Sequence, residues 1–470
     1  MKVLKTKSKW FSESDLRLDA SFHLSEGRLA KLDISKCPYQ IDSLGKLANR
    51  IFYGGRAKRI YVDNYEKGIP FMGSSDMLKS SLTGLKYISL KYTKNLDDFL
   101  LQKDWILVSR SGTVGNTVYT NDDFVGKAAS EHIIRIVPNS KLYSGYLYAF
   151  LTSKYGYSLM TQGTFGAVIQ HIEPDFLKNL PIPLLPEEKQ KEIHQLIVDA
   201  AQLRVEANRL LDEADKLFLQ LLNISDSELK ELSSTKEKTV SNTFTFNFNA
   251  LSPFTLRGRN YSPRKNRIIE ILKSNKWDRL SEVLEYLPHY GARFKRIESN
   301  SINSVELLSQ GDIFDLKPNG RRISTKNINN LEKEIVKKGT ILIPAQGTLG
   351  ENEIFGRAKL VWGYLEEKLV AGHALRFVTN ETKIGCGYLY CVLSSGLWFR
   401  ILRNTVYGTN LLGFIIELIK DYPIPRFSTN EEYLIDSKVK TAYQNLTNAL
   451  QKETKAIQQI ENEIASWQVS

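Results

Sequence analysis

Two kinds of hydrophobic pattern divide the chain. Short apolar runs bounded by Gly-Thr turns, such as Trp105-Ile106-Leu107-Val108 and Ile341-Leu342-Ile343, predict buried strands. Tyr146 to Leu151 and Tyr388 to Leu393 are longer apolar stretches and predict short helices. The second kind is a heptad stripe. Ile193, Leu196, Ala200, Leu203, Ala207, Leu210, Ala214, Leu217 and Leu221 recur at alternating steps of three and four, and Ile435, Val439, Ala442, Leu446, Ala449, Ala456 and Ile460 do nearly the same, with Glu453 as the one polar interruption. A helix over 187–222 extends roughly 54 Å, longer than one small domain needs, so the two stripes are expected to pair in a coiled coil, parallel or antiparallel. The alternative is that each packs only on its own domain.

The pattern is written twice. Ile88 to Gly115 aligns without gaps with Ile323 to Gly350, with 11 of 28 positions identical. Gly145-Tyr146-Leu147-Tyr148 then matches Gly387-Tyr388-Leu389-Tyr390, Gly163-Thr164 matches Gly408-Thr409, and Pro181-Ile182-Pro183 matches Pro423-Ile424-Pro425. Upstream, the basic stretch Gly55 to Arg59 resembles Gly291 to Arg296. Two copies of one mixed α/β or α+β domain are expected, each followed by a long helix. Periodicity leaves the sheet topology open.

Length and composition narrow the class. A chain of 470 residues that is 42% hydrophobic and 25% charged is expected to fold as several globular units, and is neither collagen-like nor a disulfide-stapled miniprotein. No run approaches 18 apolar residues, and Met1-Lys2-Val3-Leu4-Lys5 leads straight into charge, so a cytoplasmic, non-membrane protein is expected. The three cysteines, Cys37, Cys386 and Cys391, lack zinc spacing and read as reduced thiols. A net charge of +12 favours polyanionic partners, nucleic acid first.

Catalytic motifs are lacking. There is no GxxxxGK[ST] loop, GxGxxG fingerprint, HExxH or nucleophile elbow. Gly112 to Gly115 and Gly347 to Gly350 lack the Lys-Ser/Thr of a phosphate loop and read as strand-to-strand turns. His132 and His373 occupy matching positions without companion ligands and read as structural. Glu187-Glu188-Lys189 opens the first long helix, where acidic residues suit the macrodipole.

Basic residues interleaved with aromatics carry the positive signal. Arg50, Arg56, Lys58 and Arg59 sit among Phe52, Tyr53 and Tyr61; Arg293, Lys295 and Arg296 follow Tyr290; Arg257, Arg259, Arg264, Lys265 and Arg267 surround Tyr261. Lys and Arg neutralise phosphates, while Arg, Gln, Asn and Thr read base edges. The alternative for each cluster is a solvated face.

The order of strand-rich domain, Ser111 to Gly115 turn, Gly163-Thr164, Leu180-Pro181-Ile182-Pro183, Leu185-Pro186-Glu187-Glu188 and heptad helix, all repeated, resembles the specificity subunit of type I restriction-modification systems. Leu16-Arg17-Leu18-Asp19-Ala20-Ser21-Phe22 is similar to that family's opening motif. The second copy departs from the pattern after Pro425, reading Arg426 to Glu432 in place of Leu-Leu-Pro-Glu-Glu, and at Arg257 to Tyr261.

The resemblance implies an α+β chain: two target recognition domains, over 1–185 and 241–427, separated by coiled-coil helices over 186–222 and 428–468, with a polar linker over 223–240. Each domain would read one half of a bipartite site in double-stranded DNA. The helices would set the spacing and dock two adenine methyltransferase subunits carrying S-adenosylmethionine, while separate motor/nuclease subunits join for cleavage. This chain would hold no cofactor and no metal and perform no catalysis. One half-site is expected to meet Arg56, Lys58, Arg59, Tyr61, Arg110, Ser111, Thr113, Gln162, Thr164, Gln170 and His171; the other, Arg293, Lys295, Arg296, Gln346, Thr348, Tyr407, Thr409 and Asn410. The alternatives are a DNA reader in another restriction architecture, a nuclease with an unrecognised site, and a protein-binding coiled-coil scaffold.

Overall fold

The computed structural model describes residues 8, 23, 25–56, 59–63, 66–162, 171–234 and 243–468. The chain is α+β and divides into two units, one of Met1–Val205 with Asn448–Ser470, the other of Glu206–Thr447. The opening motif at Leu16 to Phe22 lies outside the described residues.

In the first unit a four-stranded antiparallel sheet runs in the order Ala48–Phe52, Ile133–Pro138, Ile106–Ser109, Thr117–Tyr119. A second sheet orders Tyr61–Val62, Lys86–Ser89, Gly68–Met72 and Ala128–Ala129, the last pair parallel. In the second unit the order is His289–Tyr290, Ala374–Phe377, Ile341–Pro344, Lys359–Leu360, beside a sheet of Arg321–Ser324, Ser304–Leu308 and Leu369–Val370, again ending in a parallel pair. The sequence repeat is thus a repeat of topology. The run Ile106–Ser109 is buried at every position, with Ile106 and Val108 in the core that the helices back, and Ile341–Pro344 is buried likewise, with Leu342 packed on Leu308 and Val370 of the neighbouring sheet.

Apolar helices at the expected places, Ser144–Thr152 and Cys386–Ser394, back the sheets and put Tyr146, Tyr148, Tyr388 and Leu389 in the cores. Arg135 and Arg376, from matching strands, are buried cations. Arg135 donates to the carbonyls of Ile133 at 2.9 Å and Ala129 at 2.5 Å, tying its sheet to the neighbouring one, and burial pushes its pKa down to about 10.

The long helices span Glu187–Leu221 and Thr429–Ser466 and run antiparallel within each unit. In the first unit Lys189 pairs with Glu463 at 2.6 Å and Asp199 with Lys452 at 2.9 Å; in the second, Glu213 pairs with Lys438 at 2.8 Å. The buried line of the first helix is Ile193, Ile197, Ala200, Ala201, Arg204, Ala207, Leu210, Ala214 and Phe218. That line corrects the expected seam, which placed Leu196, Leu203, Leu217 and Leu221 at the contact; these are half-buried flanks. A charged residue occupies a seam position, and a reading by hydrophobicity steps past it to the neighbouring leucine. The expected linker also carries a helix, Asp226–Ser233, capped by Ser225 and anchored by buried Leu232.

Candidate nucleic-acid interface

The antiparallel registers place the expected loops of each unit together. Phe52 lies opposite Arg135, and Ser109 opposite Ile133, so the chain after Phe52, the turn after Ser109 and Glu131-His132 all emerge at one end of the first sheet. A bridge between Ser111 and His171 adds a fourth segment. In the second unit Tyr290 lies opposite Leu375 and Pro344 opposite Ala374, and a bridge joins Gly347 to Leu412. The amide of Arg110 donates to the His132 carbonyl at 2.8 Å, and that of Ala345 to the His373 carbonyl at 2.9 Å, the same link in both copies.

Within the first cluster most of the polar groups are already paired. Arg59 is exposed but donates to both carboxylate oxygens of Glu131 at 2.9 Å. Burial alone would raise the Glu131 pKa, yet the Arg59 hydrogen bonds hold it below the ordinary value. His132 Nδ1 lies 2.5 Å from Ser111 Oγ, and its Nε2 is 3.6 Å from Glu131. Arg110 pairs with Glu173 and stacks on Tyr53 at 4.1 Å, while Arg50 stacks on Phe52 at 3.7 Å and reaches Asp98 at 3.3 Å. Arg56 and Thr113 are exposed, and Tyr61 lies 46% exposed on its strand with the Lys86 ammonium 5.4 Å above the ring. Gln162 instead closes the helix Lys154–Gln162 against Gly27, where an added Cβ would come within 2.6 Å of its own. Lys58, Thr164 and Gln170 lie outside the described residues.

The second cluster leaves more charge open to solvent. Arg293, Lys295 and Arg296 are exposed. Burial, then the charges of Arg293 and Arg296, lower the pKa of half-buried His373. Gln346 is half-buried and Thr348 exposed; Tyr407, at 52% exposure, precedes the exposed tip of Thr409 and Asn410. Gly408 at the tip has φ +93°, a left-handed conformation that favours glycine, and its carbonyl accepts from Arg257 at 2.9 Å.

Three findings were not legible beforehand. His132 and His373, read as structural, sit at the loop clusters. Gln310 holds the backbone of Ala345 and Gln346, although a lone glutamine between a strand and a turn carries no sequence signal. The basic cluster around Tyr261 is not one charged face: Arg264 holds the Ser234 carbonyl at 2.8 Å, Arg267 pairs with Glu228 at 2.7 Å, and Lys265 is sunk against Asn260, where burial lowers its pKa to about 8.

The turns themselves differ. Gly112 and Gly115, at φ +80° and +88°, close a tight connection from Ser109 to Thr117, whereas the connection after Pro344 is longer, returning at Gly356 before the strand Lys359–Leu360. Among the described residues no group of three or more His, Cys, Asp or Glu side chains is placed to hold a metal. No helix there is long and apolar enough to cross a membrane.

Residues 45–209 match the family model described as the type I restriction modification DNA specificity domain. The chain is 20% identical over 419 residues to the type I restriction enzyme MjaVIII specificity subunit of Methanocaldococcus jannaschii, covering 87% of each. Among solved structures it is similar to the type I restriction-modification S subunit of M. genitalium, at 16% identity and a TM-score of 0.33, covering 92% of this chain and 96% of that one. The HsdS subunit of Thermoanaerobacter tengcongensis gives 14% identity and a TM-score of 0.27, covering 91% and 96%.

Proposed function

Because the chain belongs to the specificity-subunit family of type I restriction-modification systems, which is non-catalytic, we propose that its two units each read one half of a bipartite site in double-stranded DNA. The observation that carries this reading is the duplicated loop cluster. Each copy gathers its loops at the same end of the same four-stranded sheet, while the side chains offered there differ between copies. A repeated scaffold with divergent loops suits two different half-sites.

On this reading the target recognition domains are 1–185 and 241–427, and the helices over 186–222 and 428–468 set the gap and dock two adenine methyltransferase subunits. The methyltransferases carry S-adenosylmethionine, the motor/nuclease subunits join for cleavage, and the assembly works in the cytoplasm. Of the expected contact residues, Arg293, Lys295, Arg296, Thr348, Tyr407, Thr409, Asn410, Arg56, Thr113 and Tyr61 are the exposed ones and would reach DNA directly. Arg59, Arg110 and Ser111 would act as parts of pre-formed networks, and Gln346 and His171 from half-buried positions.

The test is a methylome. The chain is co-expressed with an adenine methyltransferase encoded beside it in a methylation-free host, and modified adenines are mapped. A bipartite motif with a fixed gap that disappears without this chain is expected; the same motif without the chain would overturn the reading. Deleting one heptad from both helices shortens them by about 10 Å, roughly three base pairs, so the gap should change in step.

A further inference from the structure

The chain after Pro344 makes a longer connection than its counterpart, pairing back on Pro344 only at Gly356, whose amide donates to the Pro344 carbonyl at 2.9 Å. In the first unit the turn after Ser109 supports itself: Ser109 donates from its amide to the Asn116 carbonyl at 2.8 Å and accepts the Gly115 amide at 3.0 Å. Its hydroxyl also bonds the Thr113 carbonyl. In the second unit the regular register ends at Leu342 and Lys359, leaving a long excursion whose backbone groups need other partners.

Backbone bonds from Ala345 to His373 and between Gly347 and Leu412 supply some of them, and two side chains supply others. At the entry, the amide oxygen of Gln310 accepts from Ala345 N at 3.2 Å and Gln346 N at 3.4 Å, and its Nε2 donates to the Gln346 carbonyl at 3.2 Å. At the exit, Arg403 donates to the carbonyls of Leu349 at 2.9 Å, Gly350 at 2.9 Å and Phe355 at 3.1 Å. Its guanidinium is stacked 4.0 Å from the Phe399 ring centroid, and Arg357 lies 3.8 Å from the same centroid. Neither clamp has a counterpart in the first unit, where the aligned positions are Ser74 and Thr161.

We infer that Gln310 and Arg403 are positioning residues for the second half-site, holding the Gln346 to Gly350 segment in the one conformation from which Gln346 and Thr348 meet their bases. The inference rests on the reading of the chain as a bipartite DNA reader. A planar guanidinium reaching three carbonyls fixes a segment that an ammonium, a point donor, holds at fewer places. A reading segment freed by even an ångström or so loses discrimination before it loses affinity, because phosphate contacts position while base contacts specify.

The experiment is the methylome of the intact complex with Gln310→Ala and Arg403→Lys. Each is expected to relax base preference at one or more positions of one half-site by about tenfold, leaving the other half-site and the gap as in the wild type. Gln310 is half-buried, so Gln310→Ala decides the matter even where Arg403→Lys fails to assemble. An unchanged motif in Gln310→Ala overturns the inference. So does a uniform fall in methylation with both half-sites intact, the signature of a role in stability alone. A wild-type complex that directs no bipartite methylation would instead overturn the underlying reading, and would be seen before any variant is made.

Discussion

The hydroxyl of Tyr146 donates to the carbonyl of Pro183 at 2.6 Å, joining the helix behind the first sheet to the short strand that leads into the long helix. Tyr388 makes the same bond to Pro425 at 2.7 Å, and both residues lie 242 positions after their counterparts. All four are in the cores or beside them, so the carbonyls have no water to fall back on. Tyr146→Phe and Tyr388→Phe should each lower stability by about 1–2 kcal/mol, with additive effects because they share no partner. Thermal or urea unfolding of the two single variants and the double variant checks both the size and the additivity.

The same offset shows where the two copies part. Arg204 and Glu453 form an ion pair in the first unit, at 10% and 1% side-chain exposure, with the Tyr148 hydroxyl also on Glu453. Burial opposes the Arg204 charge, yet Glu453 and Tyr148 hold its pKa above the ordinary value. The aligned positions in the second unit are Leu446 and Leu211, which pack in an apolar contact with Ala207 and Ala442. Arg204→Leu alone strands a buried carboxyl group and should cost about 3–5 kcal/mol. Adding Glu453→Leu, which installs the second unit's leucine pair, together with Tyr148→Phe, which removes the hydroxyl left without Glu453, should recover most of that loss. A triple variant no more stable than Arg204→Leu in urea unfolding would refute this account.

What the sequence made legible follows from which forces leave a periodic trace. Strand runs and backing helices were readable because burial on all sides leaves unbroken apolar runs, and duplication made each copy a check on the other. Arg204 was invisible in the seam because its partner, Glu453, stands 249 residues away. The cluster Arg257 to Arg267 looked like one basic face because charge is visible in sequence, whereas the carbonyl of Ser234 and the carboxylate of Glu228 that engage it are not. Loop contacts such as Gln310 to Gln346 depend on where two turns meet, which no local pattern encodes.

A titratable cap distinguishes the units as well. His194 Nδ1 accepts the amide of Gly145 at 3.1 Å, satisfying a free donor at the start of the helix Ser144–Thr152; in the second unit Asp436 Oδ1 accepts from Gly387 at 2.8 Å. Burial pushes the His194 pKa down, opposed by Asp104, and a protonated ring would lose the acceptor. With the folded value below the unfolded one of about 6.5, the contribution is complete above that pH. It declines as the pH falls through 6.5 toward the folded value. His194→Asn keeps an acceptor without a titration, so this part of the acid dependence should vanish in a comparison of unfolding midpoints between pH 7.5 and 5.

Free and paired arginines should separate in their salt dependence. Arg293 and Arg296 are exposed beside His373, whereas Arg59 already has Glu131 as a counterion at 2.9 Å. Each phosphate neutralised contributes about 0.9 to the slope of log affinity against log salt. Arg293→Ala with Arg296→Ala should therefore lower that slope by about two, across specific and non-specific DNA alike. Arg59→Ala should change the slope by less than one unit, because the lost cation is offset by the carboxylate it neutralised, and Glu131→Gln should raise non-specific affinity by freeing Arg59. Titrations of the assembled complex over a series of salt concentrations decide this. Equal slope losses for Arg59 and for a single one of the two free arginines would mean that the Arg59–Glu131 pair opens on DNA and that its guanidinium meets a phosphate after all.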